Sequence, residues 1–489
     1  MILKWALKLI LLGCCIGMLL MPNMALSQDS DVDDECPTCT PEAEEPLDLG
    51  DIFVHAFHGG AIKFTPTSTI VDVEEYVKNS AVDRVEDILL HMAGIDVLRG
   101  SNIPDPQQVL MFRGFEDSRY TVALDGRPVT GSSGKAVTPI DWSSLTLEDI
   151  EKIEIIRGGA SAKFENSAGG VINIITKKGS KGETLKPKIT FQGDYTITPD
   201  YSDSEALSGK VSLNGGAGNL GYFLTYGHQD SEGYLRNNEW SSDNYSARFT
   251  YEFPFEGFLT LSYKGSAFTR ENPVVNDPSR SDYDPSYPIV TEGADTLKMV
   301  SVSYPELTGQ RNYKEKSADH YDFSFEQPIK SSLLKLHLYK TQGEENNWYV
   351  SLNSSGEKVE NYRGGDGYIE KHWGGGVDLN MEPWKNNSLD LGYSYKRTGA
   401  QEMPKVFEIN SGYVEDVWAL TPEWTLKTGL RVSHNQQRTY PYTLDSSVPK
   451  YRHYYTDIFW LPKLTVTYKV RPETSVFVSV NRDYHVPGC

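Results

Sequence analysis

From about residue 185 onward apolar and polar side chains alternate. Leu259, Leu261 and Tyr263 interleave with Thr260, Ser262 and Lys264; Leu334, Leu336 and Leu338 interleave with Lys335, His337 and Tyr339. Leu389, Leu391, Tyr393 and Tyr395 do the same with Asp390, Gly392, Ser394 and Lys396. A period of two turns one row toward an apolar phase and the other toward a polar one, so these segments predict β-strands. A lipid-facing barrel and a half-buried soluble sheet would both read this way, and the connections separate them. Short turns punctuated by Gly or Pro recur at 214–219, 253–257, 327–331, 382–387, 421–424 and 470–473. Long polar stretches fall between them, near 229–242, 267–318, 342–371, 397–412 and 434–457. Transmembrane barrels keep short turns at one rim and long loops at the other, whereas a soluble sandwich has no reason to.

Counting strands this way gives roughly 13, the last at 475–481 and directed toward the long-loop rim. Single-chain bacterial barrels have an even number of strands, and open sheet edges in lipid leave backbone groups unpaired. The expectation is a C-terminally truncated barrel. Ahead of it, residues 60–180 lose the alternation and mix β-like runs (Val109–Phe112, Tyr120–Leu124) with a helical stretch over Val82–Met92, where Val82, Val85, Leu89 and Leu90 repeat at helical spacing. That region reads as a small α+β domain.

The chain begins with Lys4 and Lys8, an apolar run and Ala25-Leu26-Ser27, the pattern of a cleaved signal peptide over 1–27. Residues 28–50 are acidic, with almost no aliphatic content, and read as a disordered leader. Past the signal nothing approaches the roughly 18 apolar residues of a spanning helix. The formal net charge of −20 argues against nucleic acid as a partner, and the 29 Tyr and 9 Trp suit the aromatic girdles of a barrel. Cys36 and Cys39 flank Pro37-Thr38 in the acidic leader, where a local disulfide is favoured over a metal or redox role. Gly216-Ala217-Gly218-Asn219-Leu220-Gly221 satisfies a dinucleotide fingerprint but joins two alternating strands, so it reads as a turn. His55, His58, His453 and His485 are isolated in polar surroundings and read as ordinary loop histidines.

Several spaced motifs between about 66 and 178 support a family resemblance. They are Val82–Leu89, Gly94-Ile95-Asp96-Val97, Phe112-Arg113-Gly114-Phe115 and Leu124-Asp125-Gly126-Arg127-Pro128-Val129. Ile150-Glu151-Lys152-Ile153-Glu154-Ile155-Ile156-Arg157-Gly158 follows, and then Gly169-Gly170-Val171-Ile172-Asn173-Ile174-Ile175-Thr176. Together they resemble the plug domain of TonB-dependent receptors. The resemblance departs at Gly158-Gly159-Ala160-Ser161 and Phe164-Glu165, where the family usually has Gly-Pro-x-Ser and a Tyr-Gly. It implies a mainly β fold: a transmembrane antiparallel β-barrel over 185–489, with about 13 of the family's roughly 22 strands, and an N-terminal α+β plug in its lumen. Asp51-Ile52-Phe53-Val54-His55-Ala56 resembles a TonB box, a segment that pairs with its partner by β-augmentation, a reading favoured over an ordinary first strand of the plug. Gly114, Gly126 and Gly158 are expected where a Cβ would clash or φ is positive. Gly169, Gly170 and Asn173 belong to a buried plug strand. Arg113 and Arg157 correspond to positions that resemble the plug half of charge pairs holding it in the barrel.

The function these readings imply is energised import of a scarce nutrient, such as a ferric siderophore, cobalamin or a haem-like complex, across the outer membrane. The implied partners are TonB with the ExbB and ExbD complex, outer-membrane lipids, and a metal-chelate or vitamin ligand. Plug segments 101–108 and 130–135 are candidates for ligand contact. No covalent chemistry, catalytic group, resident metal or cofactor is expected. The alternatives are a barrel enzyme, which would need an acid, base or nucleophile constellation and leaves the plug without a role, and a receptor used for adhesion or signalling.

Overall fold

The computed structural model describes residues 61–484 together with Ile52–Phe53, except for stretches of which the longest are 99–108, 130–141, 292–312 and 440–452. The expected signal, the leader with Cys36 and Cys39, Asp51, Val54, His55, Ala56, His58, Gly158, His485 and the candidate ligand segments 101–108 and 130–135 lie outside the described residues.

The N-terminal unit is built on seven strands: β1 (Ile52–Phe53), β2 (Ile62–Phe64), β3 (Ser68–Asp72), β6 (Thr121–Leu124), β7 (Arg127–Pro128), β8 (Ile150–Arg157) and β9 (Gly170–Thr176). They form a 7-stranded sheet in the order β1-β2-β3-β8-β9-β6-β7. A separate hairpin pairs β4 (Ile95–Leu98) with β5 (Val109–Phe112). Two short helices, α1 (Val73–Lys78) and α2 (Val85–Leu90), complete the unit. The expected helix over Val82–Met92 is therefore shorter than its periodicity suggested, and α1 was not anticipated. β9 runs parallel to β6 and antiparallel to β8, and its near-continuous apolar run Val171-Ile172-Asn173-Ile174-Ile175 is almost wholly buried. Ile172 and Ile174 join Val71, Ile88, Leu89, Phe112, Ile153 and Ile155 in one core, all of them completely inaccessible to solvent.

Turn chemistry explains two of the plug motifs. Arg113 and Gly114 have φ of 56° and 78° and connect Phe112 to Phe115, whose backbones exchange hydrogen bonds of 2.9 and 3.0 Å. Asp125 and Gly126 have φ of 51° and 87° and connect β6 to β7 through the Leu124–Arg127 pair. Positive φ at both central residues is the type I′ geometry that matches strand twist, and it demands Gly or a tolerant residue. Gly169 and Gly170 serve close approach instead: a Cβ on Gly170 would stand 2.3 Å from the Phe112 ring and 2.6 Å from the Ile156 carbonyl.

From β10 (Lys188–Thr198) onward a single antiparallel meander follows sequence order. It continues through β11 (Ser204–Ala217), β12 (Leu220–Ser231), β13 (Trp240–Glu252), β14 (Phe258–Glu271), β15 (Tyr313–Ile329) and β16 (Ser332–Leu352). After β18 (Tyr368–Met381) come β19 (Asn387–Ala400), β20 (Lys405–Ala419), β21 (Trp424–Thr439), β22 (His453–Arg471) and β23 (Thr474–Asn481). A short β17 (Lys358–Tyr362) pairs only with the distal end of β16. Thirteen strands thus lie on the main path, as the alternation predicts. The short turns fall where expected, and Gly218, with φ of 57°, makes the β11–β12 turn.

Two loop expectations need correction. Most of 342–371 is strand, because β16 runs on to Leu352 and folds back as β17, and 397–412 contracts to the four residues 401–404 between β19 and β20. Ladder hydrogen bonds hold polar sequence as strand well past the apolar band, so polarity there did not mean loop.

One face of the meander carries an apolar row in contact with solvent, including Leu261, Phe323, Leu338, Trp373, Val414 and Trp460. The opposite row is polar and buried: Arg248, Lys264, His320, Thr341, His372, Glu415, Arg431 and Lys463. Near the short-turn rim Trp384 stacks on Trp418 at 6.3 Å and Trp424 meets Tyr468 at 4.6 Å, an arrangement suited to an interfacial girdle. Glycines make room for rings on the outer face: a Cβ on Gly265 would lie 2.2 Å from the Tyr245 ring. What buries the polar row is the N-terminal unit, around which the meander wraps.

Candidate functional site

Two seams join the plug to the meander. At the first seam the plug presents charged side chains. The Asp125 carboxylate accepts the Thr176 amide (2.9 Å) and hydroxyl (2.8 Å) within the plug, and Arg248 Nη2 of β13 at 2.7 Å. Its turn is tied further by the Gly126 amide donating to Asn173 Oδ1 at 3.0 Å and by Lys335 Nζ of β16 donating to the Asp125 carbonyl at 3.2 Å. Burial alone would raise the Asp125 carboxyl; Arg248 and the Thr176 bonds outweigh it and hold the group below the ordinary carboxylate value.

Two residues on, Arg127 forks onto Asp322 of β15, with Nε to one oxygen and Nη2 to the other at 2.9 Å, while its guanidinium lies 4.8 Å from the Tyr339 ring centroid. A planar, bidentate, stacked arginine is the strong form of such a pair. Although burial disfavours its charge, Asp322 keeps Arg127 above its usual value. Asp149, just before β8, completes the seam by accepting Lys264 Nζ of β14 at 3.1 Å, with both side chains under a tenth exposed.

At the second seam the plug offers mainly backbone. Glu415 of β20 accepts the Ala162 amide, the Ser161 hydroxyl (3.2 Å) and Lys427 Nζ (2.9 Å). Arg431 of β21 donates to the carbonyls of Ala162 (3.3 Å) and Lys163 (2.9 Å). Asp483 accepts the Ser167 amide (2.9 Å) and hydroxyl (2.8 Å), and Lys463 of β22 reaches the same hydroxyl at 3.1 Å. Among the described residues the plug's charge here is Lys163, 3.0 Å from Asp390 of β19. Burial opposes its charge, but Asp390 and Glu415 raise the Lys163 ammonium above the usual lysine value.

The expectation for Arg113 and Arg157 is corrected. Arg157 Nη2 donates to Thr69 Oγ1 at 2.7 Å, inside the plug, and its amide donates to the Thr67 carbonyl at 2.9 Å. Burial, with Arg113 nearby, pushes the Arg157 guanidinium down from its usual value. Arg113 is an exposed turn residue whose amide donates to the Gly94 carbonyl at 2.6 Å. Among the described residues the plug half of the charge pairs includes Asp125, Arg127, Asp149, Lys163 and Lys178, the last 3.6 Å from Glu326 of β15. Asp125 and Arg127 stood in a quoted motif in which only Gly126 was given a role; Asp149 and Lys163 carried no local signal. Of the expected TonB box, Ile52 and Phe53 form β1, in register with Phe64 and Lys63 of β2, so that β1 is the edge of the plug sheet among the described residues.

Comparison with known proteins agrees with this architecture. The TonB-dependent Receptor Plug Domain family matches residues 61–171, and the TonB dependent receptor-like, beta-barrel family matches 189–488. The ferric enterobactin receptor PirA of Pseudomonas aeruginosa is 27% identical over 224 residues, 42% of this chain and 28% of that protein. The ferrienterobactin receptor of Escherichia coli K12 is 32% identical over 184 residues, 34% of this chain and 23% of that protein. Among solved structures, a point mutant of the ferric enterobactin receptor PfeA from Pseudomonas aeruginosa superposes with a TM-score of 0.61 at 14% identity, covering 86% of this chain and 62% of that one. The unliganded ferric citrate transporter FecA gives 0.63 at 14% identity, covering 87% and 64%. The chain therefore spans less than two thirds of these solved receptors.

Proposed function

The chain belongs to the TonB-dependent receptor family, and from that premise we propose that it serves the import of a ferric siderophore across the outer membrane. One observation carries this reading: a domain with its own apolar core is held inside a wall of strands by charged and polar contacts. Apolar burial keeps the plug folded as a unit, while an ionic seam can exchange its partners for water when the plug is pulled. A permanent stopper would be better served by apolar packing at the seam.

In the proposed cycle, a ligand captured at the long-loop rim reaches the plug apex, where segments 101–108 and 130–135 are the candidate contacts. TonB, with ExbB and ExbD, pairs with the Asp51–Ala56 segment and transmits force derived from the proton gradient. Its described residues, Ile52 and Phe53, form a sheet edge, a suitable handle because β-augmentation needs accessible backbone more than particular side chains. The siderophore is preferred to cobalamin or haem because the relatives named above are ferric enterobactin receptors. No observation favours the enzyme or adhesion readings.

The test is uptake of radiolabelled iron, supplied as ferric enterobactin, ferric citrate, haem iron or (for comparison) labelled cobalamin, by cells whose only receptor is this protein. Uptake of a ferric siderophore that is lost in Val54→Pro supports the reading. Uptake indifferent to Val54→Pro would overturn energised transport, and uptake of haem or cobalamin alone would overturn the substrate.

A further inference from the structure

The outward face of β13–β16 carries a groove of about 510 Å³ that the transport reading leaves unused. Its walls are Phe249, Leu261, Phe323 and Leu338, all exposed, and its depth comes from Ala247, whose small side chain sits in register with Tyr263. On its long-loop side a row of tyrosines closes the apolar surface: Tyr245 and Tyr263 lie 5.8 Å apart, Tyr263 and Tyr321 5.0 Å. The Tyr263 hydroxyl donates to Asp319 and the Tyr226 hydroxyl to Asp243, each at 2.8 Å. Rings facing the apolar side with hydroxyls turned to a charged row mark where hydrocarbon gives way to headgroups. Of the charges beyond that boundary, Asp243 and Asp319 stand on β13 and β15 and are engaged by tyrosines; the exposed Lys340, in register with Tyr321, borders the groove itself, and the exposed Lys371 and Glu344 stand further along β18 and β16.

We propose that this groove seats one acyl chain of a net-anionic phospholipid from the leaflet at the long-loop rim, with the phosphate held at Lys340. The proposal rests on the outer-membrane reading above. An apolar channel ending at a polar boundary with a cation at its edge matches an amphiphile in both its parts. The seat is back to back with the first seam: Asp322 and Tyr339, which hold Arg127 inside, also border the groove. A bound lipid would splint that stretch of wall.

The test is native mass spectrometry of the full chain released from vesicles of phosphatidylglycerol or phosphatidylcholine. The expected result is one retained lipid, with phosphatidylglycerol favoured about fivefold, the effect of one lysine near the headgroups. Lys340→Glu should abolish that preference while the chain still binds; Ala247→Trp should abolish retention of both lipids; Leu391→Trp, on a distant part of the outer face, should change nothing. Retention unaffected by Ala247→Trp, or a preference unaffected by Lys340→Glu, overturns the site even if iron uptake is normal. Failure of the chain to float with vesicles of either lipid overturns the membrane reading and the site with it, whereas normal lipid retention without iron uptake sinks only the transport assignment.

Discussion

The two seams hold one plug to one wall by different chemistry. At the first, plug side chains meet wall side chains as charge pairs, Asp125 with Arg248, Arg127 with Asp322 and Asp149 with Lys264. At the second, wall side chains also reach the plug's backbone, through Glu415, Arg431 and Asp483. The difference determines where each seam is vulnerable. A substitution in the plug can remove a whole pair of the first seam, whereas at the second it removes the Ser161, Lys163 or Ser167 side-chain contacts and leaves the backbone ones, which are broken from the wall.

Arg127→Ala should give the largest effect. It strands Asp322, removes the cation from Tyr339, and should destabilise plug attachment by about 3 kcal/mol, toward the lower end for a broken buried pair because Asp322 keeps partial exposure. Hydrogen exchange of the β6–β7 amides would read it, and a cycle with Asp322→Ala would show whether the loss is shared. If Arg127→Ala and Asp322→Ala add independently, the first seam is not a pair.

Glu415→Gln comes next, at about 2 kcal/mol, since it weakens bonds to a plug amide and hydroxyl and leaves Lys427 without its charge partner. Ser161→Ala, on the plug side of the same contact, should cost no more than about 1 kcal/mol. Equal losses would erase the contrast between the seams. Exchange of the 161–167 amides is the measurement.

The smallest effect is in pH, where the seams should fail at opposite ends. The Asp125 carboxyl is lowered in the folded protein, so its contribution is present above the ordinary carboxylate pKa and disappears as pH falls through the lowered value. The Lys163 ammonium is raised, so its contribution is present below the ordinary lysine pKa and disappears as pH rises through the raised value. Limited proteolysis at acid and alkaline pH should therefore release the plug first near Asp125 in acid and near Lys163 in alkali. The same first cut at both extremes would contradict this.

The same contrast explains what could be read from the sequence. Period-two alternation and Gly or Pro turns gave the strand count and the short-turn rim, because both signals are local. Gly114 and Gly126 were legible as special backbone because a turn with positive φ narrows the choice of residues, although their non-glycine partners Arg113 and Asp125 also adopt it. The seams were not legible. Arg127 and Asp322 are 195 residues apart, and nothing in either neighbourhood names the other. The second seam is further from sequence still, since much of its plug half is backbone, which side-chain identity does not mark. Arg113 and Arg157 drew attention as charges inside motifs, whereas one makes a turn and the other ties β8 to β3.

Asp125 sets a limit for anyone who would re-engineer this protein as an open pore or a sensor. Its carboxylate fastens Thr176 inside the plug and Arg248 on the wall at once, so no change there can free the domain without also unravelling it. A designer who wants the stopper to leave whole should cut at Arg127 and Glu415 and leave Asp125 alone.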